Sequence, residues 1–479
     1  MEPVLTVAEM RSVDEEAQRD TGLSALIARA GTAVATEAVS MLGGAYGKRV
    51  AVVAGRGNNG NDGRVAARLL ARRGAQVVVT APGEPLGIRA RVDLVIDAAY
   101  GTGFRGDYAA PDPAGAPVLA VDIPTGLSAD LGVAASGAVR ATRTVTFGAW
   151  KPGLLLESGP ALAGRVEVRP IGLPVARHEP SMYVIGDGDV ALLPRRARSG
   201  HKWSSAVMVV AGSPGMYGAA TFVAGGAGRS GAGMVRLAIP GADPAALPVS
   251  SAVARSVPLE GFDAGVLDEL ERFGALVLGP GLGNAVPTAE AVRRLVAFAP
   301  IPIVIDADGL TALGDASRAS AVIAARKGAP VVLTPHDGEF ARLAGAPPGP
   351  DRVGAVRRLS DLLGAVVLLK GSTTIVAAPG GRVLLAASGS PRLATAGSGD
   401  VLSGMIGAFL ARGVEAQTAA ALAAHVHGRA AGLGRPEGLL AEDLPELVAD
   451  VLSSFALGRD GIGRTRPGDR RATERTDRG

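Results

Sequence analysis

Residues 394–404 of the chain read ATAGSGDVLSG, in which the small residues Gly397, Ser398 and Gly399 directly precede Asp400. Apolar residues then recur at helical spacing: Val401, Leu402, Met405, Ala408 and Phe409. This spacing predicts a helix with Asp400 in its first turn. A helix start offers unpaired N–H groups and the positive end of the helix dipole, and glycines let an anion approach the backbone closely.

A carboxylate at this position has two interpretations. It can take a proton from a hydroxyl while the neighbouring amides stabilise a phosphoryl group in transfer. Alternatively, the stretch is a glycine-rich turn, and Asp400 is an N-terminal charge on an ordinary helix. The choice between them depends on the rest of the chain.

The stretch closes a series of strand–loop–helix units between about residues 190 and 457. A strand predicted at residues 206–211 runs into GSPGMYGAA (212–220), which opens a helix. Further predicted strands end in polar or glycine-rich segments: GPGLG (279–283), DADG (306–309), TPHDGE (334–339) and KGSTT (370–374). This alternation predicts an α/β domain with polar residues at its strand ends. His336 follows an apolar strand and is a candidate functional residue. Asp306 and Asp308 are candidate Mg²⁺ ligands, with the alternative that Asp306 simply caps the turn.

Length and composition predict two or three domains. The chain has 479 residues, of which 47% are hydrophobic, only 3% are aromatic and none is Cys. Such Ala-, Val-, Leu- and Gly-built cores are typical of helices packed on parallel strands. No apolar run is expected to span a membrane, and the acidic start is not expected to be a signal peptide. We therefore expect a cytoplasmic protein that contacts no membrane.

The positive charge is concentrated near the C-terminal end. Residues 459–479 hold seven Arg and four acidic residues, which supplies +3 of the formal net charge of +4. The remainder is near neutral, so we expect no nucleic-acid-binding face. We also expect this Arg-, Gly-, Thr- and Asp-rich tail to be disordered.

The N-terminal half contains a predicted βαβ unit with a polar connection. A strand at residues 49–54 leads into GRGNNGNDG (55–63), then a helix from about Arg64 to Arg73 and a strand at residues 76–80. Gly55, Gly57 and Gly60 match the dinucleotide fingerprint, but the acid expected about 20 residues further on is missing. A standard hydride-transfer site is therefore disfavoured, while the oxygen-rich loop suits a hard cation.

Two further predicted strands also end at carboxylates. Asp97 follows the strand at residues 92–96 and precedes AAYGTGFRGD, and Asp122 follows the strand at 118–121 and precedes IPTG. Ligands bind outside the carboxyl ends of parallel strands, so we expect Asn59, Asp97 and Asp122 to converge. An Asp of this kind on its own more often caps a turn, but three consecutive strand ends favour a site.

These three motifs in this order resemble the NAD(P)H-hydrate epimerase domain of the YjeF N-terminal family, over residues 1–175. The resemblance implies general acid/base catalysis by Asp122 and binding of the hydrated nicotinamide nucleotide by three segments. Those substrate-binding residues are Asn58, Asn59, Gly60, Asn61, Asp62, Gly101, Thr102, Gly103, Phe104, Arg105, Gly106, Asp107 and Asp122. It also implies K⁺ ligands at Asn59, Asp97 and Thr125; the chain has Asn61 where Gly is usual and Thr125 where Ser is usual.

The C-terminal segments together resemble the ADP/ATP-dependent NAD(P)H-hydrate dehydratase of the ribokinase-like superfamily, over residues 195–457. The resemblance implies contacts of Ala219, Gly281, His336 and Asp400 with the hydrate. It implies adenine-nucleotide contacts by the following residues: Lys370, Gly371, Ser372, Thr373, Thr374 and Gly399. Asp337 stands where the family often has Pro. Asp400 would deprotonate the C6 hydroxyl of the S hydrate, which attacks the terminal phosphoryl of ADP with Mg²⁺ bound, and phosphate then leaves.

We therefore predict a Rossmann-like three-layer domain followed by a ribokinase-like three-layer α/β/α domain. The expected boundaries are 1–175 for the epimerase, 176–198 for a linker, 199–457 for the dehydratase and 458–479 for the tail. Expected ligands are NADHX, NADPHX, ADP, Mg²⁺ and K⁺, and we expect a homo-oligomer. One alternative is a ribokinase-like small-molecule kinase. Another treats the N-terminal half as a nucleotide-sensing or partner-binding module without catalysis.

Overall fold

The computed structural model of the chain describes residues 1–86, 91–243, 251–326 and 328–459. The tail predicted at 458–479 therefore lies outside the described residues from position 460 onward. The strands are β1 (Glu2–Val4), β2 (Arg49–Ala54), β3 (Gln76–Thr80), β4 (Leu94–Ala98), β5 (Val118–Val121), β6 (Arg143–Phe147), β7 (Arg165–Arg169), β8 (Met182–Val184), β9 (Ala206–Val210), β10 (Met234–Pro240), β11 (Val253–Val257), β12 (Ala275–Leu278), β13 (Ile303–Ile305), β14 (Val331–Leu333), β15 (Val366–Leu369), β16 (Thr374–Ala377) and β17 (Val383–Ala386).

The helices of the described residues alternate with these strands. They are α1 (Val7–Thr21), α2 (Leu23–Leu42), α3 (Asn58–Arg72), α4 (Pro152–Leu155), α5 (Gly159–Ala163), α6 (Tyr217–Arg229), α7 (Phe262–Leu267), α8 (Val286–Phe298), α9 (Asp308–Leu313), α10 (Ala316–Ala324), α11 (Asp337–Ala344), α12 (Arg352–Leu363), α13 (Ser398–Ala411), α14 (Ala416–Leu433) and α15 (Leu444–Arg459). This alternation confirms the predicted α/β class.

The chain divides into two compact units. The first comprises Met1–Ile185, Gly314–Ala324 and Leu333–Ala387, and the second comprises Gly186–Leu313, Ala325–Val332 and the chain from Ser388 onward. In the first unit, a parallel sheet has the order β3-β2-β4-β5-β6-β7. The same unit pairs β1, β8, β17, β16 and β15, with only β8 and β17 parallel. In the second unit, β13, β12, β9, β10 and β11 are parallel neighbours.

The six-stranded sheet buries both of its faces. Val50 and Val52 of β2 belong to one apolar cluster with residues of α2 and α3, while Ala51 and Val53 belong to another on the opposite face. The two-residue alternation of a strand directs successive side chains to opposite faces. A strand that is buried on both faces therefore reads as the continuous apolar run seen in the sequence.

Helix α13 begins at Ser398, with Asp400 in its first turn, as its apolar spacing predicts. Glycines let α13 pack closely on α6: a Cβ at Gly404 would lie 2.1 Å from the Val223 carbonyl oxygen, and one at Gly226 would lie 2.2 Å from the Val401 carbonyl oxygen. Any side chain at either position would force the helices apart.

The prediction that α3 starts near Arg64 is wrong, because the helix begins at Asn58. The glycines of this segment do not form an extended loop; they allow the start of the helix to pack closely on neighbouring residues. A Cβ at Gly60 would lie 2.0 Å from the Gly55 carbonyl oxygen, and one at Gly63 would lie 2.5 Å from Ala98 Cβ. Asn58 and Asn59 therefore stand at a helix N-terminus, where unpaired N–H groups are available.

Helix α2 corrects the expectation that no apolar run is long enough to cross a membrane, since its 20 residues pass that test by length and composition. In the structure α2 is a core helix of the first unit. Ala30, Val34 and Ala38 pack against the sheet residues of the first apolar cluster. Its buried Glu37 pairs with Arg143 and Arg169. The apolar stripe of α2 is therefore packed against the sheet, and the buried acid of the helix is paired.

Candidate active sites

A cavity of about 390 Å³ lies outside the carboxyl ends of β2, β4 and β5 in the first unit. Several residues that the sequence assigns to substrate binding line it: Asn58, Asn59, Asp62, Gly101, Thr102, Gly103, Phe104 and Asp122. Others from the same set do not: Gly60, Asn61, Arg105, Gly106 and Asp107. The cavity therefore brings together members of all three predicted motifs, as expected for the edge of a parallel sheet.

The residues outside the cavity lining have local roles. Gly60 is buried against the Gly55 carbonyl. Arg105 is exposed, and its guanidinium donates to the carbonyl of its neighbour Phe104. Gly106 has φ of 97°, a conformation that favours glycine and that turns the loop.

Asp122 has an ionic partner that the sequence analysis did not assign to the site. Lys151 Nζ lies 2.7 Å from Asp122 Oδ1, and the lysine side chain is only 1% exposed. Lys151 Nζ also donates to Thr146 Oγ1 at 2.8 Å and to the Phe147 carbonyl at 2.9 Å. Asp122 itself has φ of 67°, which is rare for a residue other than glycine, so packing and the ion pair hold a strained backbone.

Asp14 is a second residue that the sequence analysis missed. It stands on α1 and lines the same cavity as Asp62 and Asp122. Burial, together with the nearby Asp122 carboxylate, raises the pKa of Asp14 to about 6, while Lys151 acts in the opposite direction. Burial, then Asp122 and Asp14, raises the pKa of Asp62 to about 8. The cavity therefore holds carboxyl groups in different protonation states near neutral pH.

The predicted cation ligands are suitably placed to offer oxygen atoms. Thr125 donates to Asp97 twice at 2.8 Å, once from its backbone N–H to Oδ2 and once from its hydroxyl to Oδ1. Thr125 Oγ1 also accepts from Tyr100 N–H at 3.1 Å. Burial raises the pKa of Asp97 to about 6 against these hydrogen bonds.

Asn59 has an orphaned amide beside this cluster. Its Nδ2 is buried without a hydrogen-bond partner in the described part of the chain. The side chain lies against Gly101, where a Cβ would be 3.5 Å from the Asn59 carboxamide carbon. Because a flip of the amide exchanges its nitrogen and oxygen, this position suits an oxygen ligand. The residues present therefore fit K⁺.

Three aromatic rings stabilise the predicted substrate-binding loop. The Tyr100 ring centroid lies 5.3 Å from that of Phe104 and 5.8 Å from that of Tyr108. Tyr100 and Phe104 also line the cavity, so they offer apolar ring surface to a planar ligand.

In the second unit, Asp400 occupies the predicted helix start. Gly397 caps α13 with φ of 91°, and Ser398 Oγ donates to the Leu393 carbonyl at 2.7 Å. One turn beyond Asp400, Ser403 Oγ donates to Asp306 Oδ2 at 2.6 Å, and Asp306 is 1% exposed. Asp306 thus anchors the helix that carries Asp400.

Two other predicted substrate contacts in the second unit lie side by side. A Cβ at Gly281 would be 3.0 Å from Ala219 Cβ, and Gly281 has φ of 67°. Ser213 Oγ donates a hydrogen bond to the Gly281 carbonyl at 2.9 Å. The loop after β12 and the start of α6 therefore meet at these two residues.

His336, in the first unit, caps helix α11. Its Nδ1 accepts from the N–H groups of Gly338 at 3.0 Å and Glu339 at 3.3 Å. In the neutral ring the proton therefore sits on Nε2, and the side chain is 60% exposed. The Asp337 carboxylate accepts two hydrogen bonds from the Arg352 guanidinium, of 2.9 and 2.6 Å.

The predicted nucleotide segment, residues 370–374, is also in the first unit. Lys370 N–H donates to the Pro335 carbonyl at 2.9 Å. Thr373 is 5% exposed, and its hydroxyl donates to the Leu155 carbonyl. Because its hydroxyl is engaged there, Thr373 is less available to contact a bound nucleotide than its exposed neighbours Gly371 and Ser372.

Comparison with known families matches both halves of the chain. The family described as NAD(P)H-hydrate dehydratase matches residues 207–452, and the family described as YjeF-related protein N-terminus matches residues 23–87 and 84–153. These two matches, on the two-part α/β fold, place the chain in a class of nucleotide-metabolism proteins.

Relatives along most of the chain narrow the assignment. The bifunctional NAD(P)H-hydrate repair enzyme of Salinibacter ruber is 37% identical over 95% of this chain and 97% of its own length. Those of Moorella thermoacetica and Mycobacterium tuberculosis are 35% and 42% identical and cover 94% and 83% of this chain. The chain belongs to the family of bifunctional NAD(P)H-hydrate repair enzymes.

Solved structures support the fold of the C-terminal half. The ADP/ATP-dependent NAD(P)H-hydrate dehydratase of Bacillus subtilis, crystallised with ATP and Mg²⁺, matches 56% of this chain and 97% of its own length with a TM-score of 0.50 and 28% identity. A ribokinase-like superfamily protein of Enterococcus faecalis matches 58% of the chain with a TM-score of 0.51 and 20% identity, which indicates the fold alone.

Proposed function

We propose that the chain repairs hydrated nicotinamide nucleotides in two steps. The first site interconverts the R and S hydrates, NADHX and NADPHX, and the second converts the S hydrate to the dihydronicotinamide. The cavity that joins members of the three N-terminal motifs with the Asp122–Lys151 ion pair carries this proposal for the first step. The matched families and the near full-length relatives support it for both steps.

In the first site, K⁺ would be held by Asn59, Asp97 and Thr125. A bound cation supplies positive charge that helps to hold an anionic nucleotide. The chain's own residues do the remaining work. Tyr100 and Phe104 offer ring surface to the nicotinamide, and Asp122 presents a carboxylate whose position Lys151 fixes.

In the second step, Asp400 takes the proton of the C6 hydroxyl, and the amides at the start of α13 stabilise negative charge. The remaining predicted contacts orient the hydrate and the adenine nucleotide. ADP is the proposed phosphoryl donor, with Mg²⁺ supplying charge neutralisation on the phosphates. The C6 oxygen attacks the terminal phosphoryl of ADP, and AMP leaves. Elimination then breaks the C6–O bond and a C5–H bond, which gives the dihydronicotinamide and releases inorganic phosphate and a proton to solvent. We further propose that the protein is cytoplasmic and that it forms a homo-oligomer. Size-exclusion chromatography with light scattering tests the oligomeric state.

The second step is tested with purified S hydrate, ADP and Mg²⁺, by following dihydronicotinamide absorbance. Asp400→Asn should lower the rate at least about 100-fold, because it removes the general base. Asp450→Asn, an exposed position on α15, is the matched control and should leave the rate unchanged. Phosphorylation of another small molecule, without turnover of the hydrate, would favour the kinase alternative.

A further inference from the structure

Three carboxyl groups and one ammonium line the first cavity. Asp14 comes from α1, Asp62 from α3, Asp122 follows β5, and Lys151 directly precedes α4. The lining residues of α2 are uncharged: Leu23, Leu26, Ile27 and Ala30. Tyr100 is the remaining titratable residue among those that line the described cavity. The three carboxyl groups therefore share one cationic neighbour.

Lys151 neutralises only one of these carboxyl groups. Its three ammonium protons are directed to Asp122 Oδ1, Thr146 Oγ1 and the Phe147 carbonyl. An ammonium has three donors, so none remains for another carboxylate. Within the described residues, no hydrogen bond or ion pair engages the Asp14 or Asp62 carboxyl. Both groups thus face the cavity without a structural partner.

We propose that Asp62 and Asp14 are the proton donor and the proton acceptor of the epimerisation, while Asp122 is a fixed negative charge. This inference rests on the proposed function of the cavity. It replaces the acid/base role that the sequence analysis gave to Asp122, because Asp122 is already committed to Lys151.

The electrostatic environment supports this division of roles. Near neutral pH, Asp62, with its pKa raised to about 8, is mostly protonated and can donate. Asp14, with its pKa raised to about 6, is mostly ionised and can accept. Pairs of carboxyl groups whose environments push their pKa values apart recur as acid and base in enzymes.

The proton transfers balance in both half-steps. In the first, the C6–O bond of the hydrate breaks with its electron pair on oxygen, and the Asp62 proton makes the leaving group water. The ring is left as an iminium cation, which the Asp122 carboxylate stabilises. In the second, water adds to the opposite face of C6 and gives its proton to Asp14. Exchange with solvent then returns a proton to Asp62 and removes one from Asp14.

The test is the pH dependence of kcat/KM for conversion of purified R hydrate to S hydrate without nucleotide. Wild type should give a bell-shaped profile with limbs near pH 6 and pH 8, because the base must be ionised and the acid protonated. Asp14→Asn should reduce the rate about 100-fold or more and abolish the acidic limb. Asp62→Asn should also reduce the rate about 100-fold or more, and it should abolish the alkaline limb.

Controls separate a proton-transfer role from a structural one. Glu15→Gln, an exposed neighbour of Asp14 on α1, should keep the wild-type profile. Dehydration of pure S hydrate with ADP, measured on each variant, checks that the chain is folded. No epimerisation by wild type would defeat the proposed function itself. Epimerisation by wild type, with both limbs retained in Asp14→Asn or Asp62→Asn, would overturn only the inference.

Discussion

At the scale of single residues, the first site depends on a buried ion pair that spans 29 positions of sequence. The apolar strand before Asp122 marks that residue as a strand-end carboxylate. Lys151 and Asp14 carry no comparable local signal, because they reach the cavity only through the packing of α1 and the chain after β6. The sequence therefore predicts one partner of the pair, and the tertiary fold supplies the other.

Lys151→Met should destabilise the chain by roughly 3 kcal/mol, because it leaves the Asp122 carboxylate without its buried counter-charge. Thermal and denaturant unfolding measure this loss. The double variant Lys151→Met with Asp122→Asn should recover part of the stability but not the epimerisation. Additive losses in the double variant would mean that the pair contributes no coupling free energy.

Asp62→Asn should stabilise the fold more at pH 8 than at pH 5. The folded-state pKa of about 8 exceeds the ordinary value, so stability from the protonated group is full below about pH 4 and is lost as pH rises through 8. The neutral amide avoids that loss, which is on the order of 5 kcal/mol at pH 8. Equal effects of the substitution on unfolding at both pH values would contradict this assignment.

At the scale of elements, the strand predictions are close because β-branched apolar runs are read directly from the sequence. The predicted strands at 49–54, 76–80 and 118–121 coincide with β2, β3 and β5. The start of α3 was mispredicted because Gly60 and Gly63 suggest a loop. In the structure these glycines permit close contact with Gly55 and Ala98, which only tertiary packing shows.

Gly404→Ala should destabilise the chain by roughly 3 kcal/mol, because the new Cβ would meet backbone atoms of α6 at 2.1 and 2.8 Å. Gly432→Ala is the matched control: it lies near the end of α14 with no atom within 4 Å of the new Cβ. That substitution should stabilise by about 0.5–1 kcal/mol through helix propensity. Similar unfolding midpoints for the two variants would argue against close α6–α13 packing.

The Asp337–Arg352 pair fixes the start of α11. Arg352 binds Asp337 through two hydrogen bonds and also lies 3.3 Å from Glu157 Oε1. Arg352→Gln should cost about 1 kcal/mol of stability. Because His336 caps this helix and is a proposed contact of the S hydrate, the substitution should also raise KM for that substrate. With Asp337→Pro, which suits the first helical position, Arg352→Gln should change KM less. Equal changes in both backgrounds would exclude a positioning role.

At the scale of the whole molecule, the order of motifs indicates two activities in one chain, and the family relationship agrees with it. The compact units divide the chain differently from the predicted domains. The predicted domain boundaries therefore stay a prediction. Motif order is a property of the sequence and is predictable from it. The grouping of 333–387 with the N-terminal residues depends on contacts such as that of Thr373 with Leu155, which no local pattern encodes.

The most direct test of the account supplies pure R hydrate with ADP and Mg²⁺ and follows dihydronicotinamide absorbance. Product can form only if epimerisation feeds dehydration. We predict complete conversion by wild type, and loss of conversion in both Asp122→Asn and Asp400→Asn. In a mixture of the two single variants, conversion should return because each supplies the activity that the other lacks. Conversion of S but never of R hydrate by wild type would contradict the claim of two activities in this chain.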